Sequence, residues 1–135
     1  MQSYDDVIAS PAFLEDLNAL NAAIVQSLED AGEAAVINGN VLYTNKLKDF
    51  HKAEFSEDME PKRRALVAMA QRSRCFVEVG VAGGHAVLLA LHANPDLKAV
   101  GIDMAVRVKP FWPPVDIFVP RRRHGWKRDF PSASG

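Results

Sequence analysis

The chain has 135 residues, of which 48% are hydrophobic, and its formal net charge is −1. This length corresponds to one small domain, and the hydrophobic fraction is ample for a core. Cys75 is the only cysteine, which excludes an internal disulfide framework and favours the reducing cytoplasm. The acidic start, "MQSYDDVIAS", has no secretory signal pattern, and no apolar run approaches the ~20 residues that span a bilayer.

The stretch "SPAFLEDLNALNAAIVQSLEDAGE" predicts the first helix. Ser10 suits the N-cap, Pro11 suits the first turn, and Gly32 suits the C-terminal end. An apolar stripe at spacings of three and four residues consists of Phe13, Leu17, Leu20, Ile24 and Leu28. The stripe fits a helix that packs on its own domain. The alternative is a helix that binds a partner or a second copy.

Two shorter elements are predicted before residue 60. In "AAVINGNVLY", Asn38 and Gly39 separate two short apolar runs, which indicates a type I′ β-hairpin. Thr44 then suits the N-cap of a short helix. The apolar side of that helix consists of Leu47, Phe50 and Phe55. His51 has no further ligand at metal-binding spacing, so no metal site is expected there.

Another helix is predicted for "PKRRALVAMAQRS", which begins with Pro61. Its apolar side consists of Leu66, Val67, Met69 and Ala70. Lys62, Arg63 and Arg64 lie at the end of the helix where the helix dipole disfavours cations. We therefore expect this cluster to face solvent or the acidic "EFSEDME" before it, and the alternative is a nucleic-acid patch.

The candidate ligand-binding residues lie between residue 76 and residue 103. "FVEVGV" is an apolar, β-branched run broken only by Glu78, which is typical of a strand buried on both faces in a parallel sheet. Gly80, Gly83 and Gly84 form a turn before "HAVLLALHA", a buried helix. A second strand, "LKAVGID", ends at Asp103. The order predicts a βαβ unit.

The spacing within this unit indicates a nucleoside ligand. Asp103 lies 19 residues after Gly84, close to the ~20 expected when a second-strand carboxylate binds a ribose. A dinucleotide fingerprint that starts at Gly80 needs glycine where this chain has Ala82 and His85, which argues against NAD and FAD. No Walker A loop is present either. The alternative is a turn that only lets the helix and strand pack, with Asp103 at a solvated strand end.

"VEVGVAGGHAVLLALHANPDLKAVGID" resembles motif I and the second-strand acid of class I S-adenosylmethionine-dependent methyltransferases. The first motif of that family is roughly (D/E)-x-G-x-G-x-G. Glu78, Gly80 and Gly84 match it, and Ala82 replaces the middle glycine. Asp103 matches the acid that binds the ribose hydroxyls of the cofactor in the family. The resemblance is best over residues 61–103 and extends more weakly back to about residue 36.

The resemblance implies S-adenosylmethionine as cofactor and methyl transfer to a small molecule. The residues expected to bind the cofactor are Glu78, Gly80, Gly83, Gly84 and Asp103. His85 could contact the ligand or have a purely structural place at the start of the helix. No catalytic base is identified, and no metal, membrane or nucleic-acid partner is expected.

The composition of residues 104–135 differs from the rest. They hold seven Lys or Arg residues against two Asp, and five of the eight prolines. Only "VDIFV" has a strand-like pattern, so the later strands of a methyltransferase sheet cannot be assigned. We therefore expect a truncated or frame-shifted chain in which residues 113–135 are an irregular, disordered basic tail. In the alternative, "RRRHGWKR" binds nucleic acid or an anionic surface.

The expected fold is therefore α/β. A helical N-terminal segment, residues 1–60, precedes a partial Rossmann-like methyltransferase core, residues 61–112. The expected function is that of a cytoplasmic methyltransferase, with low stability and little activity because the first strand would be an exposed edge. The alternative is a non-catalytic module whose N-terminal helix and basic tail bind protein or nucleic acid.

Overall fold

The computed structural model describes residues 1–36, 39–44 and 54–102. These residues form four α-helices, one 3-10 turn and two strands. In chain order they are α1 (Tyr4–Ile8), α2 (Pro11–Asp30), the 3-10 turn (Glu57–Met59), α3 (Glu60–Gln71), β1 (Cys75–Val79), α4 (His85–Ala93) and β2 (Lys98–Ile102). The described part is thus a mixed helix and sheet structure, and none of its helices is long and apolar enough to cross a membrane.

Side chains cap the first two helices. Ser10 Oγ accepts a hydrogen bond from the Phe13 N–H at 3.1 Å, so the predicted N-cap of α2 is confirmed. Helix α1 was not expected from the sequence. Ser3 Oγ accepts from the Asp6 N–H at 3.1 Å, and the Asp6 carboxylate accepts from the Ser3 N–H at 3.2 Å. This capping box supplies partners for the free N–H groups of a helix only five residues long.

The apolar stripe of α2 lies in the core. Its residues are all buried, namely Phe13, Leu17, Leu20, Ile24 and Leu28. The core cluster joins two of them to residues from the rest of the chain, among them Leu42, Tyr43, Val67, Leu89 and Leu97. The prediction that α2 packs on its own domain is confirmed.

Residues 34–36 and 39–44 contain no strand, so the hairpin prediction is wrong for the described residues. Asn40 explains the difference. Its Oδ1 accepts from the Leu42 N–H at 2.8 Å and from the Tyr43 N–H at 3.3 Å, which forms a local turn in place of strand pairing. Asn38 lies outside the described residues, as do Leu47, Phe50 and His51 of the predicted short helix.

The basic cluster at the start of α3 divides between surface and interior. Lys62 and Arg64 are exposed, but Arg63 is only 3% exposed. The predicted contact with "EFSEDME" is confirmed for Arg64, whose Nε lies 2.7 Å from Glu60 Oε1, and the predicted solvent exposure is wrong for Arg63. The Arg63 guanidinium donates to the Tyr4 hydroxyl at 2.9 Å, the Ser56 carbonyl at 2.9 Å and the Val41 carbonyl at 3.3 Å. These partners come from three distant parts of the chain, which the helical pattern alone does not reveal.

Strands β1 and β2 pair in parallel, with Cys75 opposite Lys98 and Val79 opposite Ile102. The predicted adjacency of these strands is confirmed. Phe76 packs against the core cluster on one face. The residues on the other face are 50 to 78% exposed and consist of Val77, Val79, Val100 and Ile102. The prediction that the first strand is buried on both faces is therefore wrong, since its core packing lies on the Phe76 face.

Candidate ligand site at the glycine turn

Residues 80–84, here called the glycine turn, connect the carboxyl end of β1 to the start of α4. The Gly80 N–H donates to the Ile102 carbonyl at 2.7 Å, so the ladder continues one step beyond the strands. The Gly84 N–H donates to the Val81 carbonyl at 3.0 Å and closes the turn. The turn therefore begins where both strands end, which is the edge at which open parallel sheets bind ligands.

Left-handed backbone recurs at alternate positions of the glycine turn. The φ angles are 82° at Gly80, 49° at Ala82 and 89° at Gly84. Ala82 is the residue that replaces the middle glycine of motif I, and its positive φ explains why glycine is preferred there. Among residues 1–36, 39–44 and 54–102, no atom lies within 4 Å of a Cβ placed on Gly80, so none of them blocks approach to the backbone there.

Gly83 is required for a different reason, which is space. A Cβ placed on it would lie 3.0 Å from the Cε1 and Nδ1 atoms of His85 and 3.1 Å from Cδ1 of Ile24. Such distances are too short for an ordinary carbon contact. The glycine turn is therefore pressed between the His85 ring and helix α2, a contact that sequence reasoning did not anticipate.

Glu78 lies on β1 two residues before the glycine turn, opposite Gly101 of β2. It is half-buried, and its Oε2 atom is buried. Strand alternation puts Glu78 on the face of Phe76, which faces the core. The structure thus brings Glu78, Gly80, Gly83 and Gly84 together at one edge of the sheet. Asp103 lies outside the described residues, one residue after Ile102.

His85, the first residue of α4, is 3% exposed and has a structural place, the second of the two interpretations. Its Nε2 lies 2.7 Å from Asn21 Oδ1 of α2, and its ring meets the Tyr43 ring edge-on at a centroid distance of 6.3 Å. Burial lowers the pKa of His85 from 6.5 to about 4, so the ring is neutral. Asn21, fully buried, is a site residue that the apolar pattern of α2 concealed.

A second polar contact joins the same two helices farther along. His92 Nε2 lies 2.8 Å from Asp16 Oδ2, and the His92 ring meets the Phe13 ring edge-on at 5.4 Å. Within residues 1–36, 39–44 and 54–102, no group of three or more His, Cys, Asp or Glu residues could hold a metal ion. The polar residues of these helices thus connect α2 to α4.

Comparisons of the chain with protein-family models, with curated proteins and with solved structures found no match. The resemblance to motif I rests on the sequence of residues 76–103.

Proposed function

We propose that the glycine turn binds S-adenosylmethionine and that the protein is a methyltransferase acting on a small molecule. One observation carries the proposal. An acid-bearing strand leads into a turn with three left-handed residues at alternate positions, and this turn begins beside the end of the parallel partner strand. Because Gly80 and Gly84 have no side chains, a ligand can approach the backbone of this turn closely.

The residues of the turn fit a ligand without phosphates. No Lys or Arg lies in residues 78–86, and His85 is buried and neutral. The N-terminus of α4 favours a carboxylate such as that of the methionine moiety. Gly80 leaves room beside the backbone, and Glu78 is close enough in the chain to order the turn or to accept a hydrogen bond from an ammonium group. These features support a zwitterionic ligand.

A dinucleotide fits less well. A fingerprint that starts at Gly80 needs glycine at position 82, where the backbone approaches the pyrophosphate, and at position 85, where the helix packs closely on the strand. This chain has Ala82 and His85 at these positions. The His85 ring is packed against Gly83, Asn21 and Tyr43, so position 85 is filled by a large side chain in place of the close helix packing that glycine allows.

Within this proposal, S-adenosylmethionine would supply an activated methyl group on a sulfonium. The contribution of the chain would be binding and orientation: Asp103 would accept hydrogen bonds from two ribose hydroxyls, and the glycine turn would hold the methionine end. Alignment of two reactants is itself a large catalytic effect, worth ~7–11 kcal/mol when the geometry is favourable. No proton transfer is assigned to any residue.

The test compares two single substitutions by calorimetry with S-adenosylmethionine. Asp103→Asn removes the charge at the proposed ribose contact, and Asp96→Asn removes a charge from the exposed turn before β2. Asp103→Asn should weaken binding by roughly 10- to 100-fold, because a charged hydrogen bond contributes ~1.5–3 kcal/mol. Asp96→Asn should bind like the unmodified chain. Equal affinities for the two variants would contradict the assignment of Asp103.

A further inference from the structure

Helix α2 contacts the glycine turn through a buried polar pair. Asn21, at the middle of α2, is 0% exposed, and its Oδ1 lies 2.7 Å from Nε2 of His85. Asn21 Nδ2 is 3.5 Å from the Tyr43 hydroxyl. Because Nδ2 faces Tyr43, the atom facing His85 is an oxygen that can only accept. In this arrangement of the amide, the Nε2–H of His85 donates to Asn21 Oδ1.

The held ring sets the position of the turn. The Cε1–Nδ1 edge of His85 lies against Gly83, and Ile24 of α2 lies against Gly83 as well. Both neighbours of Gly83 are therefore fixed by α2, one directly and one through Asn21. Gly80 and Gly84, the two hydrogen-bonded ends of the turn, lie on either side of this contact.

An apolar stripe alone would not fix the register of α2 so strictly. Leu, Ile and Phe side chains can slide past each other by small steps at modest cost, whereas a buried amide is satisfied in only one arrangement. Asn21 interrupts the apolar side of α2 between Leu20 and Ile24. A fully buried Asn beside apolar residues destabilises the fold unless it has a hydrogen-bond partner. The pair of Asn21 and His85 therefore favours one register of α2 against α4.

We infer that Asn21 and His85 are positioning residues of the ligand site, which hold the glycine turn in its binding geometry through helix α2. The part of the inference that concerns ligand affinity rests on the proposed function. The part that concerns the order of the turn does not, and it has its own measurement.

The experiment uses hydrogen exchange of backbone amides in the full chain. The amides of Gly80 and Gly84 report on the turn, and those of Val67 and Ala70 in α3 report on global opening. His85→Met removes the donor, and His85→Gln keeps a donor at the position of Nε2 in a side chain of similar length. Asn21→Leu removes the acceptor, and Asn18→Leu is its control at an exposed position of α2.

In His85→Met and Asn21→Leu, exchange at the turn should rise about 10-fold more than exchange in α3. His85→Gln and Asn18→Leu should keep the wild-type ratio. A uniform rise across the chain would mean that the pair only adds stability, and no rise at the turn would mean that α2 does not position the turn. Either result overturns the inference. If Asn21→Leu does not melt cooperatively, the comparison of His85→Met with His85→Gln decides.

Calorimetry with S-adenosylmethionine on the same variants separates this inference from the proposed function. If the unmodified chain binds, His85→Met should weaken binding roughly 10-fold and His85→Gln should restore it. If the unmodified chain does not bind, the proposed function fails, and the exchange ratio still decides whether the pair positions the turn. Equal affinity of His85→Met and His85→Gln for S-adenosylmethionine would contradict the inference that His85 positions the ligand site.

Discussion

Ala82 takes a left-handed backbone conformation, with φ of 49°, in which a Cβ is unfavourable. Its side chain is exposed, so the strain is not offset by burial in the core. Ala82→Gly should raise the free energy of unfolding by up to about 1 kcal/mol, because the relief of strain exceeds the added flexibility of the unfolded chain. Ala82→Val should lower it by about 1 kcal/mol, since a β-branched side chain is disfavoured at positive φ. Urea unfolding measures both, and equal stability of the two variants would contradict the assigned conformation.

His85 makes stability depend on pH. Its pKa is lowered from 6.5 to about 4 by burial, so between these values the unfolded chain binds a proton that the folded chain does not. The stabilisation is therefore present above pH 6.5 and is lost as pH falls towards 4. The loss from pH 7 to pH 5 should be about 2 kcal/mol for this residue. His85→Gln, which cannot titrate, should lose about 2 kcal/mol less over the same range. An identical loss of unfolding free energy in both proteins would show that burial does not lower the pKa of His85.

At the scale of elements, local patterns predicted α2, α3 and the β1–α4–β2 unit. Ser10 and the apolar stripe of α2 predict the helix from residues close together in the sequence. The glycine cluster predicts the turn in the same way. The capping box of Ser3 and Asp6 was also a local signal, and it could have revealed α1. The hairpin prediction was wrong because Asn40 Oδ1 accepts hydrogen bonds from the Leu42 and Tyr43 N–H groups, a competition with strand pairing that the Asn-Gly pattern does not show.

The contacts that were not predictable join residues far apart in sequence. Asn21 and His85 are 64 positions apart, and Arg63 and Tyr4 are 59 apart. Neither pair has a spacing rule, because each depends on how the helices pack. The glycine turn was predicted because its residues are neighbours in the sequence. The contact between Asn21 and His85 was missed because it depends on tertiary packing.

Arg63 joins α3 to α1 and to the segment before α3, which predicts a large effect on stability. Arg63→Met keeps most of the volume but leaves the Tyr4 hydroxyl and the Ser56 carbonyl without their donor. It should lower the free energy of unfolding by roughly 2–3 kcal/mol. Arg64→Met is the matched control, since Arg64 is exposed and its ion pairs with Asp5 and Glu60 are on the surface. It should cost less than about 1 kcal/mol in chemical unfolding. Equal losses would mean that Arg63 is not a buried connection.

Among the described residues of the whole molecule, the open face of the two-stranded sheet holds four of the seven exposed large apolar side chains, namely Val77, Val79, Val100 and Ile102. Exposed apolar side chains on a sheet favour aggregation. Val79 is 78% exposed, and Val79→Lys should reduce light scattering as protein concentration rises. Met69→Lys is the control, because Met69 is a 55% exposed apolar residue on α3. Equal scattering from the two variants would show that the sheet face does not cause association.

The proposal that the glycine turn binds S-adenosylmethionine is best tested by calorimetry on the unmodified full chain. Three titrations are compared, with S-adenosylmethionine, S-adenosylhomocysteine and NADH. We expect saturable binding of S-adenosylmethionine and S-adenosylhomocysteine, because both contain the amino-acid carboxylate and the ribose. We expect weaker or no binding of NADH. Tighter binding of NADH, or no binding of either sulfur-containing ligand to a chain that melts cooperatively, would contradict the proposal.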